Sequence, residues 1–183
     1  MNFFLNKALK KMNYLLILIL IFSLFYLTIL ISTYFYQRNL LYHPFENNYQ
    51  NDKIEFDYQE VFIKVEDNIE LKSWFIKKDI LKKKIIIFFH GNAGDLKNRI
   101  HKLNKLDRLD INILLISWRG FSGNKGSPTE KTLYNDAEKA IDWLNNIGVK
   151  NNQIILYGES LGTGVAIEIG KKNNFNSIIL ESP

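Results

Sequence analysis

The chain has 183 residues, of which 46% are hydrophobic and 23% charged; this suffices for one domain with a packed core and excludes global disorder. There is no cysteine, which rules out disulfides, thiolate catalysis and cysteine-ligated metals. The formal charge of +5 rests partly on local clusters, Lys7, Lys10 and Lys11 and then Lys82, Lys83 and Lys84, and no arginine-rich patch is interleaved with aromatics, so no nucleic-acid partner is expected.

Residues 1–13 read as a short basic tail. No charge lies between Lys11 and Arg38, and Tyr14 to Tyr36 is almost wholly apolar, broken only by Ser23, Thr28, Ser32 and Thr33. As a helix, 14–36 would span ~35 Å, enough to cross a bilayer. Tyr14, Tyr34 and Tyr36 stand near its ends, where aromatic belts form. A cleaved signal peptide would have a shorter apolar region followed by a small-residue cleavage site, and this run has neither. A retained single-pass membrane anchor is expected. Three lysines precede the run and Arg38 closely follows it, so the N-terminus is expected in the cytoplasm and the main domain across the membrane.

Residues 37–57 are polar and aromatic without periodicity and read as a juxtamembrane connector. His43 precedes Pro44, which argues against a continuing helix, and is expected to be structural or exposed. The main domain is expected over 58–183. Val61, Ile63 and Val65 alternate with polar residues, Asp67-Asn68 signals a turn, and Ile69, Leu71, Ser73 and Phe75 resume the alternation, predicting an antiparallel hairpin. Ile85 to Phe89 is a continuous apolar run, as for a strand covered on both faces. Next come His90-Gly91-Asn92-Ala93-Gly94 and Asp95, a candidate cap for a helix with Leu96, Ile100, Leu103 and Leu106 on its apolar side and His101 exposed. Ile111 to Trp118 reads as another buried strand, leading into a turn-rich loop from Arg119 to Gly126. Ser127 suits an N-cap, Pro128 a first helical position and Glu130 the capping-box partner. Leu133, Ala137, Ile141 and Leu144 give that helix its stripe, with Gly148 at its exit.

Ile154 to Tyr157 is a short buried strand, Leu161 to Lys172 a helix, and between them lies Gly158-Glu159-Ser160-Leu161-Gly162. The G-x-S-x-G pattern demands a very tight turn. Glycines let strand and helix approach closely while the serine takes a strained conformation that lifts its hydroxyl above the sheet. Ser177 to Leu180 starts a final strand. Strands alternating with helices after the hairpin predict an α/β fold, a mostly parallel sheet with helices on both faces. A dinucleotide-binding domain is disfavoured, because no G-x-G-x-x-G follows the first parallel strand. No metal cluster is visible, and no cofactor is expected.

Four segments together resemble the α/β-hydrolase superfamily, and within it the single-pass, membrane-anchored branch of serine-peptidase-like hydrolases and protein depalmitoylases. They are Tyr36 to Pro44, His90 to Gly94, the Trp118-Arg119-Gly120-Phe121 loop with Ser127 to Glu130, and Gly158 to Gly162; the likeness covers roughly residues 36–183. Trp118 stands where that branch commonly has tyrosine, and Ser122 where it commonly has glycine. The resemblance implies Ser160 as nucleophile, with the backbone N–H groups of Leu161 and Asn92 as oxyanion donors. It also implies that the His90 side chain braces its loop rather than serving as base. The triad acid and histidine of this superfamily follow the nucleophile, yet after Ser160 there is no histidine or aspartate, and the only acids are Glu168 and Glu181. The expectation is therefore the N-terminal part of a membrane-anchored serine hydrolase, truncated before its acid and base. It would act on a small-molecule or acylated substrate with a carboxylic ester, thioester or amide bond. The alternative is a non-catalytic, membrane-tethered binding or scaffold protein on the same fold.

Overall fold

The computed structural model describes residues 2–44 and 53–183. It divides into two compact units, Met1–Leu41 and Tyr42–Pro183. The first is a single helix, α1 (Asn2–Leu41). Its span from Phe3 to Leu41 contains an 18-residue window of mean hydropathy 2.8, none of it buried, so by length and composition it can cross a membrane. The helix runs on through Gln37–Leu41, which the sequence assigned to the connector, and stops before Pro44. Residues 45–52 of that connector lie outside the described residues.

The second unit holds a two-stranded ladder of β1 (His43–Pro44) and β5 (Ala93–Gly94) and a six-stranded sheet in which β2 (Gln59–Glu66), β3 (Ile69–Ile76), β6 (Asn112–Ile116), β4 (Ile85–Phe89), β7 (Ile154–Glu159) and β8 (Ser177–Glu181) lie side by side in that order. The hairpin of β2 and β3 pairs antiparallel, as the alternation required. β3 lies antiparallel to β6, and β6, β4, β7 and β8 run parallel. Every residue of β4 and β6 is buried, which explains their unbroken apolar sequences apart from Asn112. Asn112 compensates by donating from Nδ2 to the carbonyls of Asp79, Lys83 and Lys84 and accepting from the Lys78 N–H.

Helices cover both faces. On one, α3 (Glu130–Asn146) sets Leu133, Ala137, Ile141 and Leu144, and α4 (Leu161–Gly170) sets Val165, Ala166 and Ile169, against Ile85, Ile87, Phe89, Leu114 and Leu156. On the other, Leu96, Ile100 and Leu103 pack on Ile86, Phe88, Ile113 and Leu115. That second segment opens as a 3-10 turn, Lys97–Arg99, before α2 (Ile100–Leu106). The cap expected of Asp95 falls one residue later, at Leu96, which makes no side-chain cap bond; Asp95 instead pairs with Asn98, accepting from the Asn98 N–H at 3.2 Å while its own N–H donates to Asn98 Oδ1 at 2.8 Å.

The start of α3 differs from the sequence expectation. The N-cap is Thr129, not Ser127, and the capping box is closed by Thr132 in place of Glu130. Pro128 is engaged by the preceding loop instead: a Cβ on Gly120 would lie 2.9 Å from its Cδ. Thr129 then takes the extended conformation that a cap requires, with φ −143° and ψ 161°. α4 also ends at Gly170, two residues before Lys172.

Candidate active site

Two tight junctions meet at the carboxyl ends of the neighbouring strands β4 and β7. Chain order reverses between these strands, since β4 leads to β6 on one side and lies beside β7 on the other. Open α/β sheets place ligands at such switch points. The residues after β4 (Gly91 to Gly94) and those at the end of β7 (Glu159 and Ser160), together with Asn98 and Arg99, line a cavity of about 340 Å³.

Ser160 is exposed and sits between β7 and α4 with φ 49° and ψ −114°. A non-glycine residue held there stores about 1–3 kcal/mol of strain. Its backbone is fixed on both sides. The Ser160 N–H donates to the Glu181 carbonyl at 2.9 Å, and the Ser160 carbonyl accepts from the Thr163 N–H at 2.9 Å and from Thr163 Oγ1 at 2.6 Å. The flanking glycines are demanded by space. A Cβ on Gly158 would stand 2.5 Å from the Gly162 carbonyl oxygen, and one on Gly162 would overlap the Phe89 carbonyl of β4. Among the described residues, no side chain is hydrogen-bonded to the Ser160 hydroxyl.

Leu161 is the first residue of α4, so its N–H belongs to the set of donors that a helix leaves unpaired at its start. Asn92 lies in the wall of the same cavity. The two donors named from the resemblance thus come from the two junctions that meet at Ser160. Their loops are close: a Cβ on Gly91 would lie 3.5 Å from the Ser160 Cβ.

His90 is buried, with 2% of its surface exposed. The Trp118 N–H donates to its Nε2 at 3.2 Å, which leaves Nδ1 as the protonated nitrogen, donating to the Gly91 carbonyl at 2.7 Å. Burial, aided by the Arg99 charge, lowers its pKa to about 3. A neutral ring with both nitrogens engaged is a brace. Trp118 completes it, its Nε1 donating to the His90 carbonyl at 3.0 Å and its ring stacked on Phe89. His90 stays neutral in the native state, whereas the unfolded chain protonates it below about pH 6.5. Its contribution to stability is therefore complete above that pH and is lost as pH falls toward 3. Urea unfolding of the chain in detergent, followed by tryptophan fluorescence, is expected to lose up to ~1.4 kcal/mol per pH unit below pH 6 through this group. His90→Gln should flatten that slope.

Ser122 occupies the place where glycine was expected and has φ 54°, the backbone region that favours glycine. Its hydroxyl compensates, accepting from the Leu96 N–H at 3.1 Å and bonding Ser117 Oγ at 2.7 Å.

The sequence reading missed two charged groups. Beside the cavity, Arg99 Nε lies 3.3 Å from the Glu159 carboxylate, and Lys102 bridges Glu159 at 3.0 Å and Glu181 at 2.5 Å. Tyr157 donates its hydroxyl to Glu181, whose carboxyl is held below its usual range by Lys102 and Tyr157. This group ties α2 to the ends of β7 and β8. Farther back, Arg119 donates to the fully buried Asp136 and, at 2.6 Å, to Glu66. A basic residue every few positions along Arg99 to Lys105 was the only available signal for the first group, and it reads equally well as a solvated face.

No protein-family model matches the chain. Over 154 residues it is 32% identical to L404 of Acanthamoeba polyphaga mimivirus, a protein whose name places it among the α/β hydrolases; the alignment covers 80% of this chain and 59% of the viral protein. It is 27% identical over 161 residues to protein bem46 of Schizosaccharomyces pombe, covering 81% of this chain and 54% of that one. Human α/β hydrolase domain-containing protein 17B is 33% identical over 113 residues, 60% of this chain and 38% of that protein. The chain spans about half the length of the curated relatives it matches. Among solved structures, the Pyrococcus furiosus esterase Pf2001 shares the fold with a TM-score of 0.64 at 24% identity, over 78% of this chain and 56% of that one. With the elbow built by two space-limited glycines at the carboxyl end of a parallel strand, these likenesses give the chain the α/β-hydrolase fold and support its place in the α/β-hydrolase superfamily.

Proposed function

We propose that this chain carries the nucleophile and oxyanion site of a membrane-anchored serine hydrolase that cleaves a carboxylic ester, thioester or amide through an acyl-enzyme. The observation that carries this reading is Ser160 itself: exposed, strained and unsupported by any side-chain bond among the described residues, at the mouth of the cavity formed with residues 91–94. In the reaction, Ser160 Oγ attacks the acyl carbon as its proton passes to a general base. The negative charge that develops on the acyl oxygen falls between the N–H groups of Leu161 and Asn92. The base returns the proton to the leaving group, and water then releases the acyl group by the same route. His90 is spent as a brace, and the superfamily's chain order places the base and its orienting acid after the nucleophile.

α1 serves in this reading as a signal-anchor, with the lysine-bearing end in the cytoplasm and the hydrolase domain on the opposite side. Tethering favours a substrate whose acyl group is lipidic or borne on a membrane protein. A second reading is a tethered binding or scaffold protein that keeps the fold without turnover. An ester panel of graded chain length separates the two, using the protein with any sequence that continues past Pro183. Turnover that Ser160→Ala abolishes is the expected result. Equal rates for both proteins would overturn the enzymatic reading, and indifference to chain length would overturn the lipidic preference.

A further inference from the structure

The short segment after α1 forms part of the loop that holds Asn92. β1 (His43–Pro44) and β5 (Ala93–Gly94) make a two-stranded parallel ladder, His43 opposite Ala93 and Pro44 opposite Gly94. The His43 N–H donates to the Asn92 carbonyl at 2.8 Å. Before it, the Tyr42 ring is buried in the core, edge-on to Phe121, which in turn packs edge-on against His90.

These bonds fix one particular N–H. A trans peptide is planar, so the Asn92 N–H points opposite the Gly91 carbonyl. That carbonyl is held by His90 Nδ1–H, which orients the peptide before Asn92. The peptide after Asn92 is oriented by His43 through the Asn92 carbonyl. With both planes held, the two backbone dihedrals of Asn92 are set. A two-residue ladder adds little stability. What it supplies is direction.

We propose that Tyr42 and His43 are positioning residues, a strap that aims the Asn92 N–H at the oxyanion of the substrate. This rests on the nucleophile reading of Ser160. Its test compares two substitutions at one position. His43→Pro deletes the N–H donor, whereas His43→Ala keeps it. The first readout is the rate of Ser160 modification by a fluorophosphonate, with imidazole supplied as base, split into the maximal rate and the half-saturating probe concentration. The second is amide hydrogen exchange across residues 91–94, which requires no chemistry. His43→Pro is expected to lower the maximal rate on the order of 100-fold at unchanged half-saturation and to speed exchange in the loop, while His43→Ala keeps most of both. Tyr42→Leu, which leaves every backbone donor in place, should give an intermediate loss and serves if His43→Pro does not fold. Equal behaviour of the proline and alanine variants in exchange overturns the strap, whether or not the probe reacts. No reaction in the unsubstituted chain, with exchange still differing, overturns the nucleophile reading and leaves the strap as a device of the loop alone.

Discussion

Gly162→Ala is expected to cost about 3 kcal/mol of folding stability, at the upper end of the range for overpacking, whereas Gly164→Ala, two residues on in the same helix, should add about 0.5–1 kcal/mol. The opposite signs follow from space. A Cβ on Gly162 would overlap the Phe89 carbonyl oxygen and lie 2.6 Å from its carbon, both rigid backbone atoms in the central strand. α4 could then keep its first turn only by withdrawing from β4, and withdrawal would pull on Thr163 and hence on the Ser160 carbonyl it holds. A Cβ on Gly164 would meet nothing within 4 Å, so alanine there only removes disorder from the unfolded chain. Urea midpoints of the two variants check this. A neutral Gly162→Ala would mean that the elbow is looser than its contacts imply.

Asp136→Ala should be the more damaging change, about 3–5 kcal/mol. Asp136 is fully buried and Arg119 is 3% exposed. One carboxylate takes Arg119 Nε at 3.1 Å to each oxygen, Nη2 at 2.5 Å and the Arg119 backbone N–H at 3.4 Å. These bonds raise the pKa of the guanidinium above its ordinary value, so it cannot escape by losing its proton. Without Asp136 its remaining partner is Glu66, whose side chain is half exposed. The paired replacement Arg119→Met with Asp136→Leu should lose much less than either single change, because no unpaired charge stays buried. A double variant as unstable as Asp136→Ala would show that the pair acts through shape rather than charge. The loop it secures also carries Trp118, so the single variants should loosen the His90 brace too.

The parts of the fold visible in the sequence were those fixed by local rules. The apolar run of β4 could only be a strand covered on both faces, and the glycines at 158 and 162 announced a close approach before the partner atoms were known. The hairpin was legible because alternation stops at Asp67-Asn68 and resumes beyond it. The start of α3 was misplaced because Ser127-Pro128 is a sound local cap that lost to a contact with Gly120. The last helical residues of α1, Gln37 to Leu41, carry no periodicity, and the preceding helix simply continues through them. The candidate nucleophile was legible at one residue; its surroundings were not. His43 to Asn92, Lys102 to Glu181 and Arg119 to Asp136 are partners brought together by the sheet, and nothing near either member in the chain names the other.

The most direct test is covalent. The folded chain in detergent is treated with a fluorophosphonate at rising imidazole concentration, which supplies a general base from solution. Peptide mapping is expected to find one adduct, on Ser160, formed faster as imidazole rises and absent from Ser160→Ala. A chain with native tryptophan fluorescence that takes no label at residue 160, or labels equally after Ser160→Ala, would contradict the account.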